Sequence, residues 1–125
     1  MLFISQPLSE RDHGKLGYTE LDVLKDIIKL IKQDPTLQDV DLWIKPHPRD
    51  TLSKYDSLMS KKNQYQLHLI TDEIDIYNLG LVADFIVGIF SMLLVEYALL
   101  GMDVVSYQPV KSTKKLIMLG YRIPL

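Results

Sequence analysis

The chain has 125 residues, of which 47% are hydrophobic and 24% charged, with a formal net charge of -2. That length supports one domain with a single substantial core, not two, and the charge excludes the broad positive field of a nucleic-acid binder, so any phosphate recognition has to be local. With no cysteine, disulfides, thiolate metal ligands and cysteine nucleophiles are removed, which suits a cytoplasmic protein; neither a metal nor a bound cofactor is expected.

The opening "MLFISQP" is a short apolar run stopped at Pro7, as a buried strand would be. Residues 8–18 form a connection longer than the usual length of about 2 to 6 residues, and long loops at a strand end often cover substrates. Glu10 and Arg11 within it, and Gln6 just before it, are the candidates for contact with a ligand. Thr19 precedes Asp22 by three positions, a capping-box arrangement, and Leu24, Ile27, Ile28 and Ile31 follow at helical spacing before the Asp34-Pro35 stop. A second strand is predicted over residues 40–45, a polar helical segment over 51–62, a short strand at "LHLI" (67–70) and a helix or turn over 74–81.

"DFIVGIF" (84–90) has the unbroken apolar character of a central parallel strand. Ser91 then caps a helix that ends at Gly101, "DVVSYQP" (103–109) makes a fifth strand, residues 112–119 read as a last short helix, and "YRIPL" can begin a sixth strand. The apolar stretch around residues 79–101 is interrupted by Asp84, Gly88 and Glu96 and reads as strand plus helix, not as a membrane span. No signal-peptide pattern opens the sequence. Strands alternating with helices imply a three-layer Rossmann-like α/β domain over residues 1–125, with a parallel sheet of five or six strands. In such a sheet ligands sit outside the carboxyl ends of the strands, where "SQPLSER", "KPHPR", "GIFS" and "SYQPVK" all fall.

Among these, "KPHPR" carries the most chemistry. His47 lies between two prolines that fix the chain direction, and strand alternation would project Lys45, His47 and Arg49 to one side as a local cationic rim. The bland alternative is a proline-terminated strand with an exposed histidine. Ser91 opens a helix at the same edge, where a hydroxyl and the first backbone N–H groups welcome an anion, although a plain capping serine accounts for it equally. Glu96 stands in the otherwise apolar "MLLVEYALL"; a buried carboxylate needs a donor, from the protein or from ligand hydroxyls. Tyr107, Gln108 and Lys111 close the fifth strand, with a packed tyrosine more common than one stacked on a base. His68 reads as a face residue of its strand, and Trp43 as packing under a helix. Neither a dinucleotide fingerprint nor a P-loop occurs, and Ser5 and Gln6 stand where a phosphoacceptor receiver needs an acidic pair.

"KPHPR", followed by "DEIDIYNLGLVADFIVGIFS", whose closing Ser91 stands five residues before the glutamate of "EYALLG", resembles the carboxyl-terminal nucleotide-binding domain of GT-B glycosyltransferases. The likeness is strongest to bacterial sialyltransferases and polysialyltransferases, capsule-polysaccharide transferases and CDP-glycerol glycerophosphotransferases. It covers roughly residues 1–110, with specificity in the His-Pro and serine-to-acid segments. It implies a donor-binding domain for a nucleotide-activated sugar or polyol, CMP-, CDP- or UDP-linked, used in surface polysaccharide synthesis. By that resemblance His47 binds the donor phosphate and assists departure of the nucleotide, Ser91 hydrogen-bonds the same phosphate, and Glu96 contacts donor hydroxyls or braces the motif; Lys45 and Arg49, read from their charge and shared side, add a local positive field for that phosphate. Those families commonly show two adjacent serines, where this chain has Phe90-Ser91-Met92, which leaves the donor open.

GT-B sites lie between two domains, so the resemblance also implies a second Rossmann-like domain, bringing acceptor and base, that this chain lacks. An excised domain or truncated reading frame is therefore the expectation, incomplete as a catalyst by itself. The implied place of work is the cytoplasm, with peripheral association at the inner face of the membrane compatible with it. Two rivals remain: a non-catalytic flavodoxin-like module recognising a phosphorylated metabolite or a protein, and half of a sugar-nucleotide epimerase.

Overall fold

Leu2, Phe3 and Ile4 are all fully buried, a pattern that only a strand covered on both faces accommodates. This strand, β1 (Leu2–Ile4), is the centre of the sheet in a computed structural model that describes residues 1–13, 15–60 and 66–109 and the backbone of a strand at Lys114–Leu119. β2 (Leu42–Lys45) lies parallel to β1 on one side and β4 (Ile86–Gly88) on the other. β3 (Leu67–Leu69) extends the sheet beyond β2, and β5 (Val104–Pro109) beyond β4, both parallel. The order is β3-β2-β1-β4-β5, with β6 (Lys114–Leu119) added outside β5. Because the chain works outward from β1 to β3 and then restarts on the other side at β4, the crevice between β1 and β4 is the topological switch point.

Alternation along the strands feeds two cores. Phe3, Leu42, Ile44 and Val87 face α2 (Glu20–Gln33), which supplies Val23, Leu24, Ile27, Ile28 and Ile31 at the predicted spacing. The capping box forms as expected: the Asp22 carboxylate accepts from the Thr19 N–H at 2.9 Å while the Thr19 hydroxyl accepts from Asp22 N–H at 3.4 Å. Leu2, Ile4, Ile86 and Val104 face the opposite layer, α4 (Ile76–Val82) and α5 (Met92–Leu99), with Leu94 and Tyr97 fully buried between. Gly88 eases that approach: a Cβ there would stand 2.7 Å from Leu94 Cδ1, so any other residue would force the buried Leu94 side chain to shift where α5 settles onto β4.

The Rossmann-like three-layer arrangement and its parallel sheet match the expectation, and three local readings change. Residues 114–119 are a strand, paired antiparallel with β5 from Val104↔Leu119 to Pro109↔Lys114, not a helix. The run "LIML" carries neither period clearly, and the open edge of β5 decides in favour of pairing. The connection after β1 is partly helical, α1 (Leu8–Arg11), anchored by buried Leu8. The polar segment after β2 is a 3-10 turn, Leu52–Tyr55, running into α3 (Asp56–Met59), with its predicted end outside the described residues. "YRIPL" and Lys111 also fall outside the described residues. No helix among the described residues is long and apolar enough to cross a membrane.

Candidate functional site

The switch point brings Gln6, just after β1, against the start of α5. Gln6 Oε1 accepts from the Phe90 N–H at 2.8 Å, tying the two strand ends together. Ser91 is the N-cap of α5, its Oγ accepting from the Leu93 N–H at 3.1 Å, so the positive end of this helix opens on the same edge. Beside it, the Ser106 hydroxyl donates to the Ile89 carbonyl, and Gln108 Nε2 donates to Ser106 Oγ at 3.0 Å.

His47 is held by its own turn. The Asp50 N–H donates to the His47 carbonyl at 2.9 Å, the His47 N–H donates to Asp50 Oδ2 at 2.8 Å, and the Arg49 N–H donates to His47 Nδ1 at 3.1 Å. An Nδ1 that accepts leaves the ring proton on Nε2, so the neutral imidazole presents a fixed donor. Burial lowers the His47 pKa below the ordinary imidazole value; the Asp50 carboxylate opposes this, and the nearby charges of Arg11, Arg49 and Lys54 add to it. At neutral pH the side chain is therefore a hydrogen-bond donor amid cations, not an imidazolium. An arriving phosphate would reverse the balance by adding negative charge.

The predicted rim is rearranged. Strand alternation ends at Pro46, because residues 47–50 turn, and Arg49 sits exposed within that turn. Lys45 is half-buried at the end of β2, paired in register with Ile4. Arg11, delivered by α1, joins Arg49 among the cations acting on His47.

Beneath the turn lies a cluster the sequence reading did not anticipate. The Tyr55 hydroxyl donates to Asp50 Oδ2 at 2.9 Å, which leaves Ser5 to donate to Tyr55 at 2.6 Å. Lys54 Nζ donates to Asp50 Oδ1 at 2.6 Å and to the two Glu10 oxygens at 3.0 and 3.1 Å, and is also ion-paired with Glu20. Glu20 is fully buried and takes two further bonds from Ser9, at 3.0 Å from the N–H and 2.8 Å from the hydroxyl. Oxygens of Glu10, Glu20 and Asp50 lie within 4.8 Å of one another, a grouping that could hold a metal ion, and the Lys54 ammonium contacts all three. Burial works against that charge, but hydrogen bonds from Asp50, Glu20 and Glu10 outweigh it and raise the Lys54 pKa. Glu10 thus serves the protein's own network. The visible signal was the Asp50 and Lys54 pair at i, i+4; Glu20 and Tyr55 gave none.

Two expectations are corrected. Glu96 is exposed, not buried, and accepts from the Tyr77 hydroxyl at 3.0 Å. Its neighbours Met92 and Leu99 are also outside, 71% and 67% exposed, so an apolar sequence context did not mean burial. Trp43 does not lie under a helix: α4 and α5 pack over Leu2, Ile4 and Ile86, leaving the outer part of that face open. It stacks instead on its register partner His68, with ring centroids 4.2 Å apart. Tyr107 packs inward as expected, donating to Asp26 at 2.6 Å.

The fold defines a Rossmann-like α/β domain whose carboxyl-end edge is polar and cation-bearing. Compared with protein-family models, curated proteins and solved structures, the chain finds no match.

Proposed function

We propose that this domain binds the nucleotide-activated sugar or polyol of a GT-B-type glycosyltransferase of surface polysaccharide synthesis, completed by a second Rossmann-like domain. The observation that carries the reading is the fixed Nε2–H donor of His47, with Arg11 and Arg49 near it, on the sheet edge that also holds the positive end of α5. In this reading His47 donates to a phosphate oxygen. Arg11 and Arg49 supply positive potential, and the Ser91 hydroxyl, whose oxygen already caps α5, directs its proton to the same phosphate. As phosphate binds, its charge raises the His47 pKa, so the ring can take up a proton from solvent and, as the imidazolium, donate to the phosphate oxygen on which charge develops as the nucleotide departs. Lys45 acts from the end of β2. The Tyr77 bond favours the bracing role for Glu96 over contact with donor hydroxyls.

Titration with CMP, CDP, UDP and GDP, followed by thermal shift, tests the reading. A cytidine or uridine nucleotide should raise the melting temperature by mass action, and His47→Ala should weaken that binding roughly 10- to 100-fold through loss of a charge-assisted contact. No shift at millimolar nucleotide, or equal affinity in the variant, overturns it. The non-catalytic module is the second reading. It is favoured by one observation, the apolar outer face of α4 and α5, where Leu81, Val82, Met92 and Leu99 stand exposed as on a protein-contacting surface.

A further inference from the structure

At the amino ends of the strands, opposite His47, a half-open cavity of about 1090 Å³ runs under the sheet between α2 and α4. Four of its lining residues are large apolar side chains left in solvent: Leu30, Trp43, Ile74 and Val82, respectively 51%, 43%, 42% and 78% exposed. A concave apolar surface of this size is a binding-site geometry. Its charges are one-sided. Asp26, Asp39, Asp41 and Asp84 line it, against Lys29 and the Met1 amine, which donates to the Asp41 carbonyl at 2.9 Å; Asp26 already accepts from Tyr107 and Asp41 meets His68 Nε2 at 3.3 Å, while Asp39 and Asp84 are exposed. The carboxylates come from separate corners, Asp26 on α2, Asp39 and Asp41 before β2, and Asp84 before β4.

We propose that this cavity docks an apolar segment of a partner protein flanked by lysine or arginine residues. Carboxylates spread around a rim are matched by several cations on one chain, whereas a small amine carries one. A second copy docking through the apolar face of α4 and α5 fits poorly, since the one charged side chain on those two helices is Glu96, of the same sign as the rim. The inference does not depend on the nucleotide reading, which concerns the other edge.

Trp43 is the single tryptophan of the chain and lines the cavity, so its emission reports occupancy directly. The probes are a short amphipathic peptide of leucine and lysine, and the same peptide with glutamate for lysine. The lysine peptide should shift Trp43 emission saturably, and the glutamate peptide should not. Asp39→Asn, Asp41→Asn and Asp84→Asn combined should weaken binding about tenfold, as should raised salt. Leu30→Lys, at a half-exposed position that folding tolerates, should abolish the response, and Met92→Lys on α5 should leave it intact. No response, an equal response to both peptides, or indifference to the aspartate changes overturns the proposal. Dodecylamine binding as tightly as the peptide overturns it in favour of a small amphiphile.

Discussion

At the carboxyl ends of the strands, Lys54 gathers Asp50 and Glu10 within 3.1 Å and pairs with buried Glu20, while Asp50 also holds Tyr55 and the His47 backbone. At the amino ends, Asp39, Asp41 and Asp84 stand exposed around an apolar cavity. Carboxylates at the two edges thus have opposite energetic weight. The Glu20 and Asp50 side chains beside Lys54 are fully buried, so each depends on its partner; those on the cavity rim keep their water and act at longer range, Asp41 also meeting His68 Nε2 at 3.3 Å.

The comparison breaks most visibly at Lys54. Lys54→Met should cost about 3 to 5 kcal/mol, because it leaves the carboxylates uncompensated in a buried setting, measured by urea unfolding at neutral pH. The wild type should show the converse in alkali. A lysine pKa raised in the folded state gives stability that is fully present below the unfolded value and lost as pH rises through the folded one, so unfolding followed above pH ~10 should show a steep decline.

Tyr55→Phe comes next. It removes a donor to Asp50 and the acceptor for buried Ser5, for an expected loss of about 1 to 3 kcal/mol by the same measurement.

A smaller effect concerns titration. The His47 ring should titrate below the ordinary imidazole range by NMR, and Asp50→Asn should lower it further by removing the charge that opposes the shift. Since the folded pKa is depressed, the associated stability is present above the unfolded value and lost as pH falls through the folded one.

Smallest of all, Asp84→Asn and Glu96→Gln should each stay within about 0.5 kcal/mol of wild type, as exposed sites do. A large loss at Asp84 would erase the contrast between the two edges.

How much could be read in advance follows the range of the interactions. α2 was legible because its cap and its apolar stripe lie within one segment, and β4 because an unbroken apolar run needs cover on both faces. The edge bearing His47 followed from strand order alone. β6 was not legible, because its identity is settled by pairing with β5. The same holds for Lys54, whose partner Glu10 is 44 residues away. Glu96 was misplaced because apolar neighbours imply burial only where another layer covers them, and the outer face of α5 has no such layer among the described residues.

Lys54 also changes what the site has to obtain from its surroundings. A metal ion among Glu10, Glu20 and Asp50 would be acquired after synthesis, compete with other ions and be open to chelation. An ammonium on the chain is translated together with the carboxylates it neutralises, in fixed stoichiometry and at every salt composition of the cell. Its vulnerability is covalent instead: acetylation of that one nitrogen would erase the charge, and at 10% side-chain exposure the folded protein shields it from that chemistry until the turn that carries His47 opens.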